Sequence, residues 1–170
     1  MARRDGFPTR CIFSSQECRD REAVEVEVRV YEVRAFTDEG RGGNTAGVVV
    51  LPKGSKLTDE QMLETAARMG FSETAFVSEI DRADYNVRFF TPTEEVALCG
   101  HATIGTFWLL KHLGLLGNRN SLIQETKAGC LGIRISGQNI LMEQATPEFG
   151  PIVEPGEIFW SLGLAEEDQA

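Results

Sequence analysis

Valine and charge alternate at the start of the patterned part of the chain. Val24, Val26, Val28 and Val30 are separated by Glu25, Glu27 and Arg29, which predicts a half-buried strand. At Val30-Tyr31 the alternation changes phase and continues through Tyr31, Val33 and Ala35. One extra residue must be absorbed there, by a bulge or at the junction between an added N-terminal segment and the domain proper. Gly40, Gly42, Gly43 and Asn44 predict a loop, and the apolar run Ala46 to Leu51 predicts a second strand. Thr58-Asp59-Glu60-Gln61 matches a capping box, followed by a helical stripe of Met62, Leu63, Ala66 and Met69 that Gly70 closes. Thr74 to Val77 and Tyr85 to Phe90 read as short strands, the second with Tyr85, Val87 and Phe89 on one face.

A second helix follows. Ile104, Phe107, Trp108, Leu109, Leu110 and Leu113 leave almost no polar face, and Lys111 with His112 fill the last turn before Gly114. A helix apolar nearly all round is a buried one. Past Gly117, strands are predicted at about 121–126, 130–136 and 139–144, with Gly129 and Gly137 at the turns. Many short strands around one apolar helix predict an α+β domain, a curved and mostly antiparallel sheet wrapped around a central buried helix.

The ends differ from the middle. Residues 1–23 form a polar arm, expected to be flexible, and 24–150 hold the domain. In 151–170, Pro151, Pro155 and Gly156 mark a connection, Ile158 to Leu162 is a short apolar stretch, and Ala165-Glu166-Glu167-Asp168 looks like an acidic first helical turn. The expectation is a connection toward a second lobe.

Composition changes this picture only by exclusion. The 170 residues are 42% hydrophobic and 25% charged, ordinary for one globular domain with its own core. A net charge of -9 argues against nucleic acid as a partner. No apolar run is long enough to span a membrane, and the first residues lack the continuous apolar segment of a secretory signal, so a cytoplasmic protein is expected. Cys11, Cys18, Cys99 and Cys130 are too irregular for a disulfide framework and are expected to be reduced. A zinc site from Cys99-x-His101 with Cys11 and Cys18 lacks knuckle spacing, so neither metal nor cofactor is expected.

The chemistry concentrates at Cys99-Gly100-His101-Ala102-Thr103-Ile104-Gly105-Thr106. A thiol and an imidazole stand at the mouth of the apolar helix, where unpaired backbone N–H groups and the positive dipole end attract a carboxylate and favour a thiolate. The plainer readings are that His101 merely caps the helix and Cys99 is a small buried hydrophobe. Asn44 is either a turn residue tolerating positive φ, the favoured role, or a polar group reaching a cleft. Trp108 and Trp160 read as core, and Asp59, Glu60, Glu64 and the acidic tail as solvated surface.

Four motifs in order carry a family resemblance: Gly42-Gly43-Asn44-Thr45-Ala46-Gly47-Val48, Gly70-Phe71-Ser72-Glu73-Thr74-Ala75-Phe76-Val77, Arg88-Phe89-Phe90-Thr91-Pro92, and Glu95-Val96-Ala97-Leu98-Cys99-Gly100-His101-Ala102-Thr103. Over about residues 28–150 the chain resembles the N-terminal domain of the PhzF (phenazine biosynthesis-like) family, whose fold is that of the diaminopimelate epimerases. Thr45 stands where that family commonly has proline. The resemblance implies two similar lobes with an active site in the cleft between them, of which this sequence resembles one. It implies that Glu73 is the general acid and base, that His101 lies beside it, and that Cys99 falls where epimerases and racemases carry a catalytic cysteine. Ser72, Gly100, Ala102, Thr103 and Asn44 would line the substrate site, the amides near Gly100 donating to its carboxylate.

That role suits Glu73 physically, because its neighbours Phe71, Ala75 and Phe76 would draw the carboxyl out of water. The alternative is a strand-end carboxylate facing solvent. Two function classes stand. One is a cofactor-independent isomerase or epimerase moving a proton on a small carboxylate-bearing molecule. The other is an inactive half-protein acting as a binding or assembly module, paired with itself or with a separately encoded lobe.

Overall fold

The computed structural model describes residues 9–11, 28–144, 146–147, 149–152 and 155–163. Its strands are β1 (Thr9–Cys11), β2 (Val28–Ala35), β3 (Asn44–Val50), β4 (Glu73–Ile80), β5 (Ala83–Phe90), β6 (Glu95–Val96), β7 (Ser121–Thr126), β8 (Gly129–Ser136) and β9 (Asn139–Met142). They join in one sheet in the order β1-β2-β3-β4-β5-β7-β8-β9, with β6 beside β5. The pairings are antiparallel except β3 with β4 and β5 with β7. Those two need crossovers, supplied by α1 (Asp59–Met69) and α2 (Gly100–His112). The result is the expected α+β domain.

The sheet curls around α2, which packs against β2, β3, β4 and β9. Phe107 and Leu110 of α2 are fully buried, contributing about 2–3 kcal/mol each. A smaller second core lies on the opposite face, where Met62 and Ala66 of α1 meet Val49, Phe76 and Phe90. Adjacent residues of one strand therefore serve different cores: Val48 and Val77 face α2, whereas Val49 and Phe76 face α1.

This two-sided burial corrects the reading of β2. Val28 and Val30 belong to the α1 core, whereas Val33 and the partly buried Tyr31 belong to the α2 core. The pairing with β3 runs without a shift from Val30 opposite Val49 to Ala35 opposite Asn44. No bulge is needed, because the phase change marks the point where the covered face switches.

The start of α1 is as the sequence predicts. The Gln61 amide donates to Thr58 Oγ1 at 3.2 Å, and the Thr58 amide donates to Gln61 Oε1 at 2.9 Å. Gly70 closes the helix with φ +67°. The close seating of α2 depends on Gly105, where an added Cβ would lie 2.6 Å from Val33 Cγ2. Ahead of β3, Gly43 has φ +78° and leaves no room for a Cβ beside the Ala35 carbonyl.

Other expectations change. Residues 9–11, expected within a flexible arm, form the edge strand β1 against β2. Asn44 opens β3, and among the described residues the positive-φ positions other than glycine are Phe36 and Glu39. A short helix, α3 (Pro155–Ser161), occupies the expected connection and the start of the apolar stretch after it. Trp108 packs against the main core, but Trp160 on α3 is 85% exposed, so its place in the core is wrong. The predicted acidic turn at 165–168, Cys18, and all of the arm except residues 9–11 lie outside the described residues. Among the described residues no helix is long and apolar enough to cross a membrane.

Candidate active site

Two separately fastened elements meet at the mouth of α2. Glu73 opens β4, opposite Ala46 of β3 in a parallel pair, and the adjacent Ser72 hydroxyl donates to the Thr45 carbonyl at 3.4 Å. Cys99 and His101 arrive from β6. That strand is clamped: Arg88 of β5 donates from Nε and Nη2 to both Glu95 oxygens, at 2.7 and 2.9 Å. Arg88 Nη1 also reaches Asp59 at the start of α1, at 2.7 Å, and Lys127 Nζ lies 3.6 Å from Glu95. The paired cation holds the Glu95 carboxyl below the usual carboxylate range. Beyond the clamp, the Ala128 amide donates to the Ala97 carbonyl at 3.2 Å, fixing the run into the helix.

Cys99 is the residue preceding the helix, with extended backbone and no side-chain cap. Its carbonyl accepts from the Thr103 amide at 3.0 Å and the Thr103 hydroxyl at 2.8 Å. These two bonds fasten the first turn of α2 to the residue that precedes it.

His101 Nε2 lies 3.4 Å from Glu73 Oε2, with side-chain exposures of 10% and 23%. The two side chains that the resemblance sets beside each other thus approach closely where α2 begins. Their alignment falls short of a hydrogen bond, so each of these buried atoms is without a partner. On the other side of the ring, Cys99 Sγ contacts Nδ1 at 3.2 Å.

The thiol departs from expectation. Burial pushes the Cys99 thiol up to about 11, with the nearby Glu73 carboxylate adding to the rise, against the opposing pull of the Ala102 and His101 amides. A helix N-terminus is worth about 0.3–1 kcal/mol to an anion, and here desolvation outweighs it. Cys99 is therefore a thiol at neutral pH.

The remaining candidates divide. Gly100 is exposed at the crevice, whereas Ala102 and Thr103 are fully buried. Thr103 spends both its amide and its hydroxyl on Cys99, which corrects its expected place on the substrate. Ser72 and Asn44 are exposed on the β3–β4 side. The Arg88–Glu95 clamp was missed as a positioning device, although both residues flank the Phe-Phe-Thr-Pro run.

A separate surface hollow lies at the far end of β4, walled by Lys53, Glu79, Asp81, Arg82, Asp84 and Arg119. Each of its cations meets a carboxylate: Lys53 with Glu79, Arg82 with Glu125, and Arg119 with Asp84. The hollow therefore offers an anion far less than the α2 mouth does.

Residues 33–163 match the family model PhzC-PhzF, described as phenazine biosynthesis-like protein. The chain belongs to this family. Among its PhzF relatives, the uncharacterized isomerase YfhB of Bacillus subtilis is 39% identical over 149 residues, covering 85% of this chain and 50% of the relative. The uncharacterized isomerase YddE of Escherichia coli is 40% identical over 148 residues, covering 82% of this chain and 48% of the relative. The crystal structure of the Bacillus anthracis phenazine biosynthesis protein of the PhzF family superposes with a TM-score of 0.70 at 39% identity, covering 82% of this chain and 48% of that one. The chain spans about half the length of the curated relatives it matches.

Proposed function

We propose that this chain carries the proton-transferring half of a PhzF-type isomerase or epimerase, acting without a cofactor on a small carboxylate-bearing molecule. The observation that carries the reading is the approach of Glu73 Oε2 to His101 Nε2, at 3.4 Å, where α2 begins. Glu73 takes a proton from a carbon of the substrate and returns one to another position. His101 donates toward the charge that develops. Gly100, exposed where α2 begins, presents its amide to the substrate carboxylate, an electrostatic contribution of about 3–4 kcal/mol for a well-aimed donor once water is excluded. Cys99, held as a thiol by burial, rests against the imidazole instead of acting as a thiolate base.

The chain matches half of its relatives' length, so the closing wall of the cleft would come from a second lobe or a second subunit. The test is solvent exchange: purified protein, in chelator-containing heavy water, is incubated with a panel of small amino and hydroxy acids. Deuterium incorporation that Glu73→Gln reduces by at least a hundredfold supports the reading. Incorporation that survives Glu73→Gln overturns it. A second reading, a binding or assembly module without turnover, is favoured by the exposure of Phe36, at 72%, and Trp160, at 85%. Absence of exchange with every compound would favour that module.

A further inference from the structure

We propose that Glu73, Cys99 and His101 form a three-ligand site for a divalent ion of the zinc class, at which the ion excludes the carboxylate substrate. The sequence offers Cys11 and Cys18 as partners for Cys99-x-His101, and their spacing is wrong. The fold supplies a different third donor, Glu73. One ligand atom from each of the three residues lies within 4.8 Å of the others. Thiolate, imidazole and carboxylate are the donors a borderline ion such as zinc or cobalt takes, and three protein ligands leave a fourth position open.

Burial supplies an independent reason. The His101 side chain is nine-tenths buried, and its Nε2 and Glu73 Oε2 have no hydrogen-bond partner. Two inward-facing atoms left unsatisfied in this way are what an ion between them would engage. Their 3.4 Å separation is close to a ligand–ligand edge around a tetrahedral ion, roughly 3.3–3.7 Å for bonds of about 2.0–2.3 Å, while Cys99 Sγ, now 3.2 Å from Nδ1, must turn toward the Nε2 side. The ion takes one ring nitrogen, and the widest donor separation closes by about an ångström through side-chain torsions. On binding, the Cys99 S–H bond breaks, its proton passes to water, and the sulfur's electron pair forms the bond to the metal. No oxidation is involved.

This site uses the same side chains as the proton-transfer reading but does not depend on it. The probe is cobalt(II), titrated into the reduced, chelator-stripped chain. Binding should give a near-ultraviolet sulfur-to-cobalt charge-transfer band saturating at one ion per chain, which zinc then abolishes. Cys99→Ser should remove the band, and His101→Gln and Glu73→Gln should each weaken binding at least tenfold. Cys130→Ser should leave it unchanged. Circular dichroism of every variant separates a lost ligand from a lost fold. A band that persists in Cys99→Ser, follows Cys11 or Cys18, or never develops overturns the site. Because deuterium exchange is read in chelator, failed exchange with intact cobalt binding sinks only the proton-transfer reading.

Discussion

Gly105→Ala sets two forces on α2 against each other. In a helix interior, alanine is favoured over glycine by about 1 kcal/mol. Here the added Cβ would lie 2.6 Å from Val33 Cγ2 and 3.3 Å from Val33 Cβ. Val33 is 3% exposed and β-branched, and its backbone pairs with Ala46 of β3, so it has little freedom to turn aside. Overpacking costs about 1–3 kcal/mol, and a Val33 held in place puts this case in the upper part of that range, about 2–3 kcal/mol, so steric conflict wins and the net loss is about 1–2 kcal/mol. In a chain of this size that lowers Tm by roughly 2–8 °C. Urea unfolding followed by circular dichroism, on wild type, Gly105→Ala, Val33→Ala and the double variant, measures both terms. Val33→Ala alone leaves a cavity costing about 2 kcal/mol. In the double variant the new methyl occupies part of that space, so the combined loss falls short of the sum by about 1 kcal/mol or more. A Gly105→Ala protein as stable as wild type, or strictly additive losses, would refute the close seating of α2 on β2.

Two further expectations follow from the titrating groups. The Cys99 thiol, raised from 9.0 to about 11, confers stability that is complete below about pH 9 and lost as pH climbs toward about 11. Cys99→Ala should flatten that alkaline limb in urea midpoints measured against pH, and iodoacetamide at about pH 8 should label the exposed Cys130 well before Cys99. Equal labelling would count against the buried thiol. Glu95, whose carboxyl is lowered from 4.5 chiefly by Arg88, confers stability present above about pH 4.5 and lost as pH falls through its depressed folded value. Arg88→Met should cost about 2 kcal/mol at neutral pH by leaving a partly buried carboxylate without its main partner, and should weaken the acid limb. An unchanged urea midpoint would show that the clamp contributes nothing.

Local signals in the sequence were complete where local physics decides. The Thr58–Gln61 box and Gly70 bound α1 in the chain itself, and the apolar girth of α2 announced its burial. The turns at Gly129 and Gly137 separate β7, β8 and β9 where the strand patterns predicted. The phase change in β2 was visible but ambiguous, because an extra residue and a switch of covered face leave the same mark. Trp160 was misplaced because indole size argues for burial while saying nothing of what would cover it. The meeting of Glu73 and His101 was accessible only through family resemblance, since periodicity places each residue on its element and never across the sheet. For Cys99, the helix terminus was visible in the sequence, but the surrounding desolvation is a property of the packed core, and that term decides the sign.

Glu73 and His101 are not neighbours in any local sense: the β4–β5 hairpin and β6 lie between them, and their spacing exists only while α2 rests on the concave side of the sheet. A loosened state that kept its helices and strands but lost side-chain interlocking would retain both residues and lack the gap between them. Mild denaturant should thus silence this crevice before it erases the far-ultraviolet signature of the backbone, making function the more sensitive gauge of tertiary order.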